Sequence, residues 1–210
     1  TKRTARLADR PGFLSRILQA GGHKMTRTKW LLALVAVLAV AGTVSAQESP
    51  KWGYVEAGFI DFDPDEGVSD DGFFAGASFP IFKMFHLLAE YDQVGDYSFC
   101  NAGVGVHGML GDKADLFAEA TWQDIEVDTD GGSVSDDGYE VAGGIRWMLG
   151  DRFEVKGTVN YVDFSDGGDD TTFEGEGVFF LMENKLGLGA SYETGDADTL
   201  RAFARWNFGK

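Results

Sequence analysis

The chain has a single cysteine, Cys100, among 210 residues, and only four prolines. A lone thiol excludes an internal disulfide framework. So little proline, beside 29 glycines and 13% aromatic residues, fits a β protein better than a disordered one. Basic side chains are also scarce, with 18 Lys and Arg against 34 Asp and Glu and a net charge of −16. That balance argues against binding through phosphates, so no nucleic-acid partner is expected. Long apolar runs are missing too: beyond Gln47 none is long enough for a membrane helix. Helical periodicity is equally hard to find there. The length allows one domain with a core of useful size.

What is present begins with a charge asymmetry. The first 46 residues carry eight Lys or Arg against Asp9 alone, leaving −23 on the remaining 164. Met25 opens a basic stretch through Lys29, followed by an apolar run from Trp30 to Gly42 and small residues ending at Ala46. This is the layout of a cleaved secretory signal, assigned to 25–46. Residues 1–24 lie upstream of a complete signal and are read as a misplaced or non-native start. The barrel domain described next is assigned to 47–210.

From there on, alternation with period two dominates. In Gly138 to Leu149, Tyr139, Val141, Ile145 and Trp147 share one face, and Glu140, Ala142 and Arg146 the other. About ten such strands follow one another, near Trp52–Phe62, Gly72–Ile81, Phe85–Asp92, Tyr97–Leu110, Ala114–Ile125, Gly138–Leu149, Phe153–Val162, Thr172–Leu181, Leu186–Glu193 and Leu200–Phe208. Eight strands are the alternative count.

The connections alternate in kind. Tight turns at Phe82-Lys83, Gly111-Asp112-Lys113, Gly150-Asp151 and Glu183-Asn184 interleave with acidic loops at Asp63–Asp71, Gln93–Asp96, Val127–Asp137, Phe164–Asp170 and Thr194–Asp198. In an antiparallel meander every second connection lies at the same end. The acidic loops therefore gather at one rim, and the short turns gather with both termini at the other.

Period two alone does not say which face is inside, but aromatic placement does. On the apolar face Tyr91, Trp122, Tyr139, Tyr161 and Tyr192 fall next to the acidic rim, and Trp147, Phe153, Trp206 and Phe208 next to the short-turn rim. Between them lie Leu87, Ala89, Val104, Ala120, Val141 and Val159. Two aromatic girdles around a plain apolar band are what a bilayer selects; a soluble core has no reason to segregate its aromatics. Phe153 to Tyr161 spans about 26 Å at ~3.3 Å per residue, which strand tilt brings toward the roughly 25 Å apolar band of outer-membrane barrels. A sheet in lipid leaves no open edge, so the strands are expected to close into an all-β, antiparallel, up-and-down transmembrane barrel.

On the signal, the even strand number, the alternating connections, the girdles and the aromatic Phe208 near the C-terminus, the chain resembles the small bacterial outer-membrane β-barrel family of OmpA/OmpX-like and opacity-type barrels. The resemblance covers Gln47 to Lys210. It implies a cell outer-membrane location in a Gram-negative envelope, outer-membrane lipid as surroundings, and the outer-membrane assembly machinery as a partner reading the C-terminal end. Family chains usually end on the aromatic itself, whereas Gly209 and Lys210 follow Phe208 here.

The lumen-facing set is the first candidate for function: Glu90, Glu119, Glu140, Arg146, Glu154, Lys156, Glu174, Glu176, Arg201 and Arg205. Enclosed charges need partners, so a packed network of ion pairs is expected, in a barrel with a structural or surface-interaction role. A narrow porin-like channel is the alternative, and the excess of Glu would make it cation-preferring. A soluble periplasmic barrel holding an apolar ligand is a further alternative. His86 and His107 share the lumen parity of neighbouring strands, but no nucleophile of matching parity and no clear carboxylate partner is evident beside them. Cys100 has the lipid-facing parity. The chain reads as a non-enzyme without cofactor, catalytic or metal residues. Asp61 to Gly67 begins like a calcium loop, but Gly67 falls at the seventh place and Gly72 at the twelfth, where a bidentate Glu belongs. Looser binding of divalent cations between acidic loops remains as a candidate partnership. Trp52 and Tyr54 share a face with Glu56, and Val55, Ala57 and Phe59 are placed outward because a carboxylate facing lipid is costly.

Overall fold

The computed structural model describes residues 50–64, 69–129, 132–165 and 168–208; the expected signal at 25–46, the stretch before it, and the last two residues lie outside them. Ten strands run in sequence: β1 (Tyr54–Pro64), β2 (Asp70–Pro80), β3 (Phe85–Val94), β4 (Tyr97–Met109), β5 (Ala114–Thr129), β6 (Gly132–Met148), β7 (Phe153–Phe164), β8 (Gly168–Met182), β9 (Leu186–Thr194) and β10 (Ala197–Asn207). Each pairs antiparallel with its sequence neighbours. β1 also pairs with β10, from Tyr54↔Asn207 to Pro64↔Ala197, so the sheet is a closed up-and-down barrel. Ten strands, not eight, close it.

The strands form where β-branched and aromatic residues alternate with small or polar ones, and glycine breaks them where the chain must reverse. Gly95 is one such place: its φ of 52° is one that L residues rarely adopt, and a Cβ there would collide with the Asp70 carboxylate.

The acidic connections are shorter than the composition suggests. The stretch Val127–Asp137, expected as a loop, is mostly hairpin, with Val127 opposite Val134 and Asp124 opposite Asp137. Two others, at Gly195-Asp196 and Gly95-Asp96, reduce to two residues between strands. Asp, Ser and Gly have low strand propensity, but cross-strand pairing overrides it, and inward-facing Ile125 and Val127 stay buried into the hairpin. Parts of the acidic loops considered for calcium, 65–68 and 130–131, fall outside the described residues.

The barrel is apolar outside, and inside it holds buried charges beside an apolar cluster that includes Ile60, Phe74, Val94, Phe180 and Phe203. Leu87, Val104, Val141, Val159 and Leu188 are exposed on the outer wall, and Phe59 is 75% exposed. Around this band one rim carries Phe73, Tyr91, Trp122, Tyr139 and Tyr161, and the other Phe79, Phe85, Trp147 and Trp206, all exposed. Neighbours in the first ring touch, as in Phe73–Tyr91 (centroids 6.4 Å apart) and Tyr139–Tyr161 (6.5 Å). Phe153, Tyr192 and Phe208 are half-buried. Cys100 is free and exposed.

Candidate functional site in the barrel lumen

The lumen fills in tiers, each set by which residues alternate inward. At the short-turn end the segment before β1 places Trp52 across the mouth. Its indole lies parallel to the His107 ring (centroids 4.4 Å apart, 7°), stacks on His86 at 4.5 Å and meets the Phe117 edge at 5.6 Å. The Arg146 guanidinium sits 4.5 Å from the indole centroid. Trp52 Nε1 donates to Asp115 Oδ2 at 2.7 Å, and its carbonyl accepts from Ser78 Oγ at 2.7 Å. Every polar group the indole brings into the lumen therefore has a partner, and the buried ring is held on several sides.

His86 also has the carboxylate partner that the sequence did not reveal: its Nε2 lies 2.9 Å from Glu119 Oε1, while its Nδ1 lies 3.3 Å from His107 Nδ1. The register explains the meeting. His86 and Glu119 both stand opposite Gly105, on β3 and β5, and a Cβ on Gly105 would collide with the His86 ring. A glycine in the strand between lets two long side chains close over it.

Above the stopper lies a hub of two arginines. Arg205, 1% exposed, donates from both terminal nitrogens to the two oxygens of Glu176 (2.9 and 3.0 Å), from Nε to Glu56 (2.6 Å), and from Nη1 to Glu154 (3.2 Å). Arg146 reaches Glu154 through Nε (3.2 Å) and Nη2 (2.5 Å). The Tyr54 ring lies under both guanidinium groups, at 4.4 Å from Arg205 and 5.4 Å from Arg146. Lys156 Nζ pairs with Glu174 at 3.0 Å and approaches Glu176 at 3.8 Å. The forked geometry matches arginine to carboxylate: Arg205, Glu154 and Glu176 are each shared between two or more partners, while among the described residues Arg146 pairs with Glu154 alone and Glu56 with Arg205 alone.

Toward the acidic rim Arg201 binds Glu90 (3.0 Å) and Asp92 (2.7 Å) and covers the Phe74 ring. Glu140 accepts from the Gln123 amide at 3.1 Å, and Glu193 from the Asn160 amide at 3.2 Å and the Thr172 hydroxyl. All ten residues expected in the lumen network thus face the interior, joined by Glu56, Tyr54 and Trp52.

The interior is not packed throughout. A cavity of about 310 Å³ occupies its upper part, from Glu56 and Lys156 to Phe164, Asp170 and Ala197 near the acidic rim. Small inward residues such as Gly76 and Ala142 leave this space, and ten strands enclose more of it than eight. The Trp52 cluster and the arginine hub occupy the opposite end.

Fold and lumen together define a class: closed ten-stranded barrels whose polarity is inverted relative to a soluble protein. No family model and no curated protein sequence matches the chain. Among solved structures it is similar to a KdgM porin (10% identity, TM-score 0.46, 74% of this chain and 99% of that one), to the N-terminal β-barrel domain of Pseudomonas aeruginosa OprF (12%, 0.41, 75% and 99%) and to Neisserial surface protein A (11%, 0.38, 74% and 96%). None of these scores reaches 0.5, and the functional reading below rests on the geometry of this barrel.

Proposed function

We propose that this chain is a Gram-negative outer-membrane barrel with a structural or surface-interaction role, acidic connections outside and short turns in the periplasm, its lumen stoppered rather than freely conducting. The observation that carries the reading is the inversion of polarity. Val104, Val141 and Val159 stand exposed between two aromatic rings, while Arg146, Arg205 and Glu154 are buried inside. In water the exposed band would be a large unexplained apolar patch; in lipid it is the required surface. A closed sheet also satisfies every strand edge in a medium that offers no hydrogen bonds.

Two features oppose the alternatives. Trp52 and the arginine hub occupy the end through which a standing cation channel would run. A soluble barrel with an apolar ligand would need an apolar lumen, and nine carboxylates line this one among its apolar side chains. Export through a cleaved signal at 25–46 and assembly by the outer-membrane machinery belong to the same proposal. The test is the gel mobility of unheated and boiled protein from the outer-membrane fraction, paired with planar-bilayer recording. A heat-dependent shift with no current at neutral pH is expected. Protein recovered in the soluble fraction without a shift would overturn the membrane reading, and steady current would overturn the stopper.

A further inference from the structure

We propose that the upper lumen is a binding site for a linear organic polycation of the polyamine class. The inference rests on the outward-facing barrel above and deepens it by naming the ligand chemistry.

Nine carboxylates and only two cationic side chains, Lys156 and Arg201, line the cavity. Arg201 is shared by Glu90 and Asp92, and Lys156 by Glu174 and Glu176. Glu140 and Glu193 receive hydrogen bonds from neutral amides and a hydroxyl, and among the described residues neither forms a close ion pair. Glu193 stands directly opposite Glu174 across β9 and β8, and Glu174 holds Lys156 while Glu193 has no ion pair of its own among the described residues. Asp92, only 7% exposed beside the cavity, is paired with Arg201 through Oδ2, and its Oδ1 is buried without a hydrogen-bond partner.

The arrangement selects the kind of cation. Glu119, Glu140, Glu174 and Glu193 are distributed over β5, β6, β8 and β9, and among the described residues no three acidic or histidine side chains gather to hold a metal ion. Separated carboxylates suit several ammonium groups spaced along one chain. Phe62, Phe99 and Phe164 supply apolar wall for the methylenes between them. A volume of about 310 Å³ is that of a site for a small metabolite.

Equilibrium dialysis of spermidine against the full barrel in zwitterionic detergent tests this. Saturable binding of one molecule per barrel is expected, weakened roughly tenfold or more for each carboxylate lost in E140Q/E193Q and unchanged in the rim variant D136N/D137N. On the unaltered protein, diaminohexane should displace spermidine and hexanediol should not. Absence of saturable binding, full affinity in E140Q/E193Q, loss in the rim variant alone, or displacement by hexanediol would each overturn the proposal. The heat shift and bilayer recording on the same preparation report separately on the barrel, so failure of binding and failure of the barrel reading are told apart.

Discussion

Arg205→Met is the most informative perturbation of the hub. It replaces the guanidinium by an apolar chain of similar reach and leaves the wall strands untouched. Glu154 keeps Arg146 and Glu176 keeps Lys156, but Glu56 has Arg205 as its only ion-pair partner among the described residues. The side chains are 1% exposed for Arg205 and 10% for Glu56, so solvent screening does little to relieve the loss. Removing one member of a buried pair costs about 3–5 kcal/mol, mainly because the other charge is stranded. Urea unfolding in detergent micelles, followed by tryptophan fluorescence and the heat-dependent gel shift, should show a loss in that range. R205M/E56Q should recover at least half of it, since it removes the stranded charge as well as its partner. A loss below about 1 kcal/mol, typical of an exposed pair, would refute the reasoning by showing that water screens the hub. No recovery in the double variant would assign the loss to packing against Tyr54 and Phe203 instead.

Trp52→Ala removes the ring stacked on His86 and His107 and should cost about 3–5 kcal/mol in urea titrations, while bilayers should still show no current because the arginine hub remains. Val141→Arg places a charge in the apolar outer band and should cost about 2–4 kcal/mol in urea titrations. Gly105→Ala drives a methyl into the His86 ring and should cost about 1–3 kcal/mol, whereas Gly108→Ala, with open space around it, should meet no steric obstacle; the same titration compares them.

Most of the fold was legible because a period of two records which face each residue takes. Strand number, the closed meander and the outward facing of Val55 and Phe59 all follow from that alternation and from the clustering of aromatics. The lumen parity of Glu90 through Arg205 was legible for the same reason. Three things were not. The acidic connections read as loops from composition, yet Val127 and Val134 pair in a hairpin because a neighbouring strand supplies hydrogen bonds that propensity ignores. The His86–Glu119 contact depends on both residues standing opposite Gly105, a register that single strands do not encode. Trp52 precedes the first strand, where alternation has barely begun. Its shared parity with Tyr54 and Glu56 was the available signal, and it pointed inward without showing that the ring would cross the mouth. The cavity escaped for a related reason: it is made by what Gly76 and Ala142 lack.

The seam between β1 and β10 has a consequence for folding fidelity. It joins strands from opposite ends of the chain, and Glu56 meets Arg205 across it at a sequence separation of 149. A slip of one residue there would turn every side chain to the wrong face and be rejected by lipid. A slip of two would keep apolar residues outward and polar ones inward, so the bilayer could not tell it from the correct closure. Specific contacts distinguish the two, because a shift of two moves Glu56 away from the guanidinium that Glu154 and Glu176 hold in place and moves Gly58 from its close approach to Phe203. The hub thus favours the closure in which Glu56 meets Arg205, an alignment that hydrophobicity alone does not select.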